Sequence, residues 1–213
     1  MDNIENKRNE WKRIPKHIGI IPDGNRRWAK QRGLEKQMGY EFGIEPGFKL
    51  YEMCRQLGIE ELTLYGFTVD NTKRPAIQKQ AFQKACVDAV ETLAEKDAEL
   101  LVVGDSNSSC FPKELIPYRI RRKFGDGGIR VNFLVNYGWD WDLNYPSGIA
   151  SKDISRIDLI LRWGGHCRLS GFLPVQSVYS DFYTLPELWP DFEENQFYRA
   201  LDWYQRQDIT LGG

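Results

Sequence analysis

His17-Ile18-Gly19-Ile20-Ile21-Pro22-Asp23-Gly24-Asn25-Arg26-Arg27-Trp28 is the stretch whose reading decides the fold. From His17 to Ile21 it is a nearly continuous apolar run of strand length, and Pro22-Asp23-Gly24 stops it. A strand without polar alternation fits a position covered on both faces, as in a parallel sheet. The residues after it are basic and helix-like, so Asp23-Gly24 is read as a strand-to-helix turn and not as a hairpin. Working outward, Ile44, Phe48, Tyr51 and Leu57 recur at helical spacing up to Gly58, a helix stop. Leu62–Tyr65 is a second strand. Pro75 to Glu99 is a long helix with proline in its first turn. Leu100–Val103 is a third strand, followed by a basic amphipathic segment, Ile116 to Lys123. Ile129–Val135 and Ile157–Leu161 complete the strands. Strand and helix in alternation predict a single α/β domain, with a mostly parallel central sheet flanked by helices.

The 213 residues correspond to one domain at roughly 150 residues per domain. Residues 1–15 are expected to be a solvated tail and 16–213 the domain. Lys+Arg total 29 against 30 Asp+Glu, so no global basic field marks a nucleic-acid partner. No apolar run reaches the roughly 18 residues of a membrane span. The charged N-terminus has no apolar core of a signal peptide, which predicts a cytoplasmic location. The four cysteines are far apart and the histidines number two, which argues against a disulfide framework and a structural zinc site.

Ligands in open parallel sheets sit beyond the carboxyl ends of the strands. After Ile21, Gly24 permits close backbone approach, and Asn25, Arg26 and Arg27 at a helix start form a candidate phosphate cradle. Asp23 at its mouth is a candidate magnesium ligand. After Tyr65 the loop Gly66-Phe67-Thr68-Val69-Asp70-Asn71-Thr72-Lys73-Arg74-Pro75 holds an aromatic, a hydroxyl, an amide and a cation, although capping a helix would need some of the same residues. After Leu161, Arg162-Trp163-Gly164-Gly165-His166-Cys167-Arg168-Leu169-Ser170 forms a second candidate anion cradle, whose arginines are otherwise read as pairing with carboxylates. Two cradles facing one crevice point to an enzyme joining two phosphorylated substrates. Trp28, Phe42, Phe48, Tyr65, Phe67 and Phe82 are candidates to line an apolar channel, or else to fill the core.

The combination resembles the cis-prenyltransferases, the undecaprenyl diphosphate synthase family. His17 to Ala29 resembles its opening motif; Leu62 to Thr68 with Asn71, Arg74 and Pro75 its second; and Asn136-Tyr137-Gly138 a third. Asp158 to Phe172, Tyr179-Ser180-Asp181 and Leu188-Trp189-Pro190-Asp191-Phe192 resemble its C-terminal block. The resemblance implies a homodimer with this α/β fold that carries out magnesium-dependent prenyl transfer from an allylic diphosphate. It implies that Asp23 and Asn71 are catalytic, with Asp23 and Asp181 at the metal. Gly24, Asn25, Arg26, Arg27 and Trp28 would hold the allylic diphosphate, helped by Lys36, Tyr40, Phe67, Thr68, Asp70 and Arg74. Arg162, Arg168 and Ser170 would hold the second diphosphate.

The chain departs from that pattern in places. Pro22 stands where methionine is usual, Arg26 for glycine, Lys36 for arginine, Tyr40 for histidine and Thr72 for tryptophan. Trp139-Asp140 replaces Gly-Arg, Asp181 replaces glutamate, His166-Cys167 falls on a Glu and a histidine, and Thr210-Leu211-Gly212 lacks the arginine of a closing Arg-x-Gly. The Pro75–Glu99 helix, which walls the product tunnel in this family, is about one turn short, and a helix after Tyr145 is missing. These features resemble the bacterial lavandulyl and cyclolavandulyl diphosphate synthases, which join two dimethylallyl diphosphates head to middle. The alternatives are head-to-tail condensation with isopentenyl diphosphate to neryl or Z,Z-farnesyl diphosphate, and a non-catalytic partner subunit. Asn71, Asp70, Tyr40 and His166 are the candidates for a terminal base.

Overall fold

The structure is a computed structural model that describes residues 10–208. The closing Thr210-Leu211-Gly212 and residues 1–9 of the expected tail lie outside the described residues. Residues 10–15 are not a free tail: Glu10 and Lys12 are exposed, but Trp11 is buried, its indole N–H donates to Asp202, and Arg13 caps the carbonyl of Tyr204. Both acceptors lie on the last helix, so residues 11–13 are stapled to it.

Among the described residues the elements run β1 (His17–Ile21), α1 (Asn25–Gln31), α2 (Met38–Phe42), α3 (Ile44–Leu57), β2 (Glu61–Tyr65), α4 (Ala76–Leu93), β3 (Ala98–Val103), β4 (Arg122–Phe124), β5 (Ile129–Leu134), α5 (Trp139–Leu143), β6 (Leu159–Arg162), β7 (Asp181–Thr184) and α6 (Glu194–Tyr204), with 3-10 turns at Val69–Lys73, Lys113–Arg119 and Trp189–Asp191. One sheet in the order β4-β3-β5-β2-β1-β6-β7 holds all the strands, and only β4 pairs antiparallel. This is the expected α/β domain with a mostly parallel sheet. The four strands β1, β2, β5 and β6 in its middle are almost wholly buried, as their uninterrupted apolar runs predict.

The helix read over 44–57 forms as read. It buries Leu50, Tyr51, Met53, Cys54 and Leu57 and stops at Gly58, whose φ of 75° is a conformation in which a side chain would be strained. The long helix is shorter than its pattern implied. It ends at Leu93, because Ala98 and Glu99 are taken into the β3 ladder opposite Ile129 and Arg130. Ladder pairing here outweighs the helical propensity of the intervening residues. The basic segment 116–123 divides into a 3-10 turn and the charged edge strand β4, a common protection for an exposed sheet edge. The last expected strand shifts to Leu159–Arg162, and beyond it β7, half-buried and without an apolar run, is a further strand.

At the amino end of the strands lies a buried polar cluster. His17 Nε2 meets Thr63 Oγ1 at 2.8 Å, and Asn132 donates to Glu61 and to Thr63. Ser155 also donates to Glu61, so the group ties β1, β2 and β5 together without unmatched charge. The carboxyl ends are left for other chemistry.

The helix pair over those carboxyl ends is set by close backbone contact. Gly39 of α2 lies so near the start of α1 that a Cβ there would sit 2.1 Å from the Asn25 carbonyl oxygen. Gly39→Ala is therefore expected to cost about 1–3 kcal/mol in urea unfolding, because a backbone atom and not a side-chain end must move. An unchanged midpoint would show that α2 floats on α1.

Candidate active site

The register of β1 on β6 sets Ile21 opposite Arg162, so the loop after Ile21 starts level with the end of β6. Asp23, two residues on, receives Arg162 Nη2 at 2.8 Å, with Arg27 at 3.6 Å on its other oxygen. Arg162 is almost fully buried, and its Nη1 donates to Ser170 Oγ at 2.8 Å and to the Arg168 carbonyl. Arg27 in turn donates to the Gly164 carbonyl. The backbone is locked as well: Trp189 N–H donates to the Asp23 carbonyl, and Gly24, at φ 110°, lies so close to Leu188 that a Cβ there would sit 2.8 Å from its side chain. Burial raises the Asp23 carboxyl, but the Arg162 hydrogen bond and charge, aided by Arg27, outweigh it. The group therefore titrates below its ordinary value.

A crevice of about 650 Å³ opens above this pair. Asp23, Gly24, Asn25, Arg26 and Arg27 line it from the first loop, Lys36 and Tyr40 from the α1–α2 region, and Thr68, Asp70, Asn71 and Arg74 from the second loop. Arg162, Arg168 and Ser170 line it from the third. The three strand ends thus converge as read. The Asn136-Tyr137-Gly138 segment beyond β5 does not join them: Asn136 turns through φ 52° and donates to the Asp105 carbonyl, while the buried Tyr137 hydroxyl bonds Asp142. That motif is a support for the sheet end and not a wall of the crevice.

The 3-10 turn Val69–Lys73 is closed by a reciprocal cap, in which the Asn71 amide oxygen accepts from the Thr68 N–H. Asp70, on the same turn, is exposed and paired with Lys73. Arg74 Nη1 donates to the Tyr40 hydroxyl at 2.8 Å, and the Tyr40 ring stacks on Phe82 at 4.4 Å and 2°. Burial raises the Tyr40 hydroxyl against the opposing charges of Arg74 and Arg26, so it keeps its proton at neutral pH.

Three expected site residues lie elsewhere. Trp28 is buried under α1, with its indole N–H on Asp191 Oδ1 at 2.7 Å and its ring against Phe42. Phe67 is wholly buried and meets Phe82 edge-on, so it supports the wall from behind. Asp181 is the third. It pairs in register with Leu159 at the start of β6, and Leu159 pairs with Ile18, so Asp181 lies roughly 10 Å down the strands from Ile21 at about 3.3 Å per residue. Its nearest cation is Arg13, and this chain does not assemble Asp181 and Asp23 into one metal centre. Among the described residues no three His, Cys, Asp or Glu side chains gather as a metal cluster.

The crevice also takes in His166, a candidate base, and Tyr65 and Phe82, candidate channel residues, together with Lys30, which the sequence motifs did not single out. Lys30 was detectable, since it falls three and four residues after Arg27 and Arg26 on one helical face. A small apolar cavity of about 80 Å³ adjoins the crevice, and Tyr40, Tyr65 and Phe82 line both spaces. Phe48 lines the cavity as expected of a channel residue, whereas Trp28, Phe42 and Phe67 do not. All four cysteines are free thiols, and Cys86 at the cavity wall is pushed up to about 12 by burial.

Comparison with known proteins matches residues 21–147 and 144–212 to the family described as "Putative undecaprenyl diphosphate synthase". An isoprenyl transferase of Heliobacterium mobile is 32% identical over 94% of this chain and 88% of its own. A (2E,6E)-farnesyl-diphosphate-specific ditrans,polycis-undecaprenyl-diphosphate synthase of Vibrio parahaemolyticus is 28% identical over 93% of this chain and 91% of its own. The crystal structure of lavandulyl diphosphate synthase from Lavandula x intermedia, in complex with dimethylallyl diphosphate, shares the fold with a TM-score of 0.80 at 24% identity, over 93% of this chain and 98% of that one.

The Asp23 ion pair gives a pH test. A carboxyl whose folded value lies below its unfolded 3.8 adds stability that is complete above 3.8 and lost as pH falls through the folded value. Urea unfolding of Asp23→Asn is expected to show a stability deficit at pH 7 that narrows below pH 3.8. A deficit of equal size at both pH values would mean that the pair is not what the carboxylate contributes.

Proposed function

The chain belongs to the undecaprenyl diphosphate synthase family of prenyltransferases, and we propose that within it the chain is a short-chain synthase, joining two dimethylallyl diphosphates head to middle into a lavandulyl- or cyclolavandulyl-type C10 diphosphate. The observation that carries this reading is a cation-rich crevice joined to an apolar cavity of only about 80 Å³. That volume is smaller than the roughly 150 Å³ cavity that accommodates benzene, which favours a C5 tail over a growing polyprenyl chain.

In this reading the allylic diphosphate lies against Gly24, Asn25, Arg26, Arg27 and Lys30, and the second diphosphate against Arg168 and Ser170. As the allylic C–O bond breaks, its electron pair passes to the diphosphate, where these cations face the growing charge. The double bond of the acceptor supplies the pair for the new C–C bond, and a proton then leaves. Tyr40 and Phe82 present aromatic faces to the cationic carbon and help exclude water. Because Tyr40 keeps its own proton, Asp70, Asn71 and His166 remain as the groups to which that proton passes.

Asp23 suits magnesium, which commonly takes one or two carboxylates together with substrate phosphates. When bound, the ion would neutralise the departing diphosphate. The same reading makes the enzyme a homodimer, for which the exposed apolar residues Trp139, Val178 and Tyr179 offer surface. No described helix is long and apolar enough to cross a membrane.

Incubation with dimethylallyl diphosphate and magnesium alone, followed by mass spectrometry and NMR, is expected to yield a C10 diphosphate. Product that forms only when isopentenyl diphosphate is added would overturn the head-to-middle reading in favour of neryl or Z,Z-farnesyl diphosphate. Asp23→Ala is expected to leave at most a few per cent of turnover in a protein that still folds; higher activity would count against its assigned role.

A further inference from the structure

We propose that Tyr65 is a positioning residue for the second diphosphate site, acting through its hydroxyl on the Arg168–Ser170 loop. Tyr65 ends β2, and its hydroxyl crosses to β6's loop and donates to the Ser170 carbonyl at 2.9 Å. Its ring is held by Phe172 at 5.2 Å and edge-on by Tyr137 at 6.1 Å, so the hydroxyl has little freedom to point elsewhere. Burial raises that hydroxyl far above its ordinary value, so it remains a donor.

The loop it holds needs holding. Ser170 and Leu173 are non-glycine residues at φ 52° and 36°, with Gly171 at 80° between them. Such left-handed residues persist only where the surroundings fix them. The fixed turn aims Ser170 Oγ at Arg162 Nη1, and the same Nη1 takes the Arg168 carbonyl. Tyr65, Ser170, Arg162 and Asp23 therefore form one hydrogen-bonded chain across the ends of β2, β6 and β1. Neither Arg168 nor Ser170 is buried, so their placement depends on that backbone. Tyr65 lines the crevice, but its hydroxyl is taken up by the Ser170 carbonyl of the loop, and the inference rests on reading that loop as a diphosphate site.

The test is the binding of inorganic pyrophosphate to the full chain by calorimetry, with steady-state kinetics on dimethylallyl diphosphate in parallel. The wild type is expected to bind pyrophosphate in two phases. Tyr65→Phe, which keeps the ring, should weaken one phase by about three- to tenfold, the loss of one hydrogen bond, and leave the other alone. Arg168→Ala should weaken the same phase, and the double variant should be no weaker than Arg168→Ala, because the two act through one loop. In turnover the defect of Tyr65→Phe should appear in KM rather than kcat. Ser170→Ala, which removes both the Arg162 contact and a hydroxyl of the proposed site, should affect the same phase.

Equal weakening of both phases, no weakening of either, multiplying effects in the double variant, or a single-phase wild type would overturn the proposal. A wild type that binds pyrophosphate in two phases but makes no prenyl product would overturn the prenyltransferase chemistry and leave the positioning role standing.

Discussion

The buried Arg162–Asp23 pair is the interaction on which the site depends. Burying a guanidinium is costly unless its charge is paired, and removing one partner strands the other charge. Parallel register answers this requirement: with Ile21 opposite Arg162, the loop that follows β1 brings Asp23 to within 2.8 Å of the guanidinium. The remaining Nη1 bonds then pull in the Arg168–Ser170 turn, and Arg27 closes the ring onto Gly164. The loop after β1 and the distant 162–170 segment are thus fixed by one cation and one carboxylate.

Around this pair the aromatic residues divide by what their polar ends can reach. Trp28 and Trp189 send their indole N–H groups to Asp191 and to the Gly43 carbonyl, so both are buttresses between the helices and the loop after β7. Phe67, with no polar end, lies wholly inside and backs Phe82. Tyr40 and Tyr65 keep their hydroxyls at the boundary, one accepting from Arg74 and the other donating to Ser170. Their rings form the neck between the charged crevice and the apolar cavity, and their hydroxyls belong to the polar side. That amphipathic geometry is what a tyrosine can supply and a phenylalanine cannot.

Much of this was legible in the residues. Continuous apolar runs marked β1, β2 and β5, and the rule that ligands sit beyond parallel strand ends pointed to Asp23, Asn71 and Arg162 before any coordinates. What escaped had physical causes. β7 is short and half-buried, so it has neither the apolar run of a central strand nor clean alternation. Trp28 and Phe67 sit inside motifs that line the crevice, but a helix turns one face inward and a strand end alternates, so sequence neighbours of site residues become core. Asp181 is near Arg162 in order along the sheet, yet motif order carries no information about which end of a strand a residue occupies. Only the pairing of Asp181 with Leu159 shows that it lies at the amino end.

The same logic separates two arginines that look equivalent in sequence. Arg162 and Arg168 stand six apart around Gly164 and Gly165, and as a motif they read as a pair of anion ligands. Arg162 is buried, already neutralised by Asp23, and has Nη1 directed at a carbonyl and a hydroxyl. Its Nε is buried without a partner, so little of the guanidinium is left to face the crevice. Arg168 is exposed at the crevice wall and contributes its carbonyl, not its side chain, to that clamp. In the proposed reading, direct capture of an anion at this loop falls to Arg168 and the Ser170 hydroxyl, while Arg162 holds the turn that presents them. Burial, which the sequence spacing does not record, turns one arginine into a scaffold and leaves the other exposed at the crevice wall.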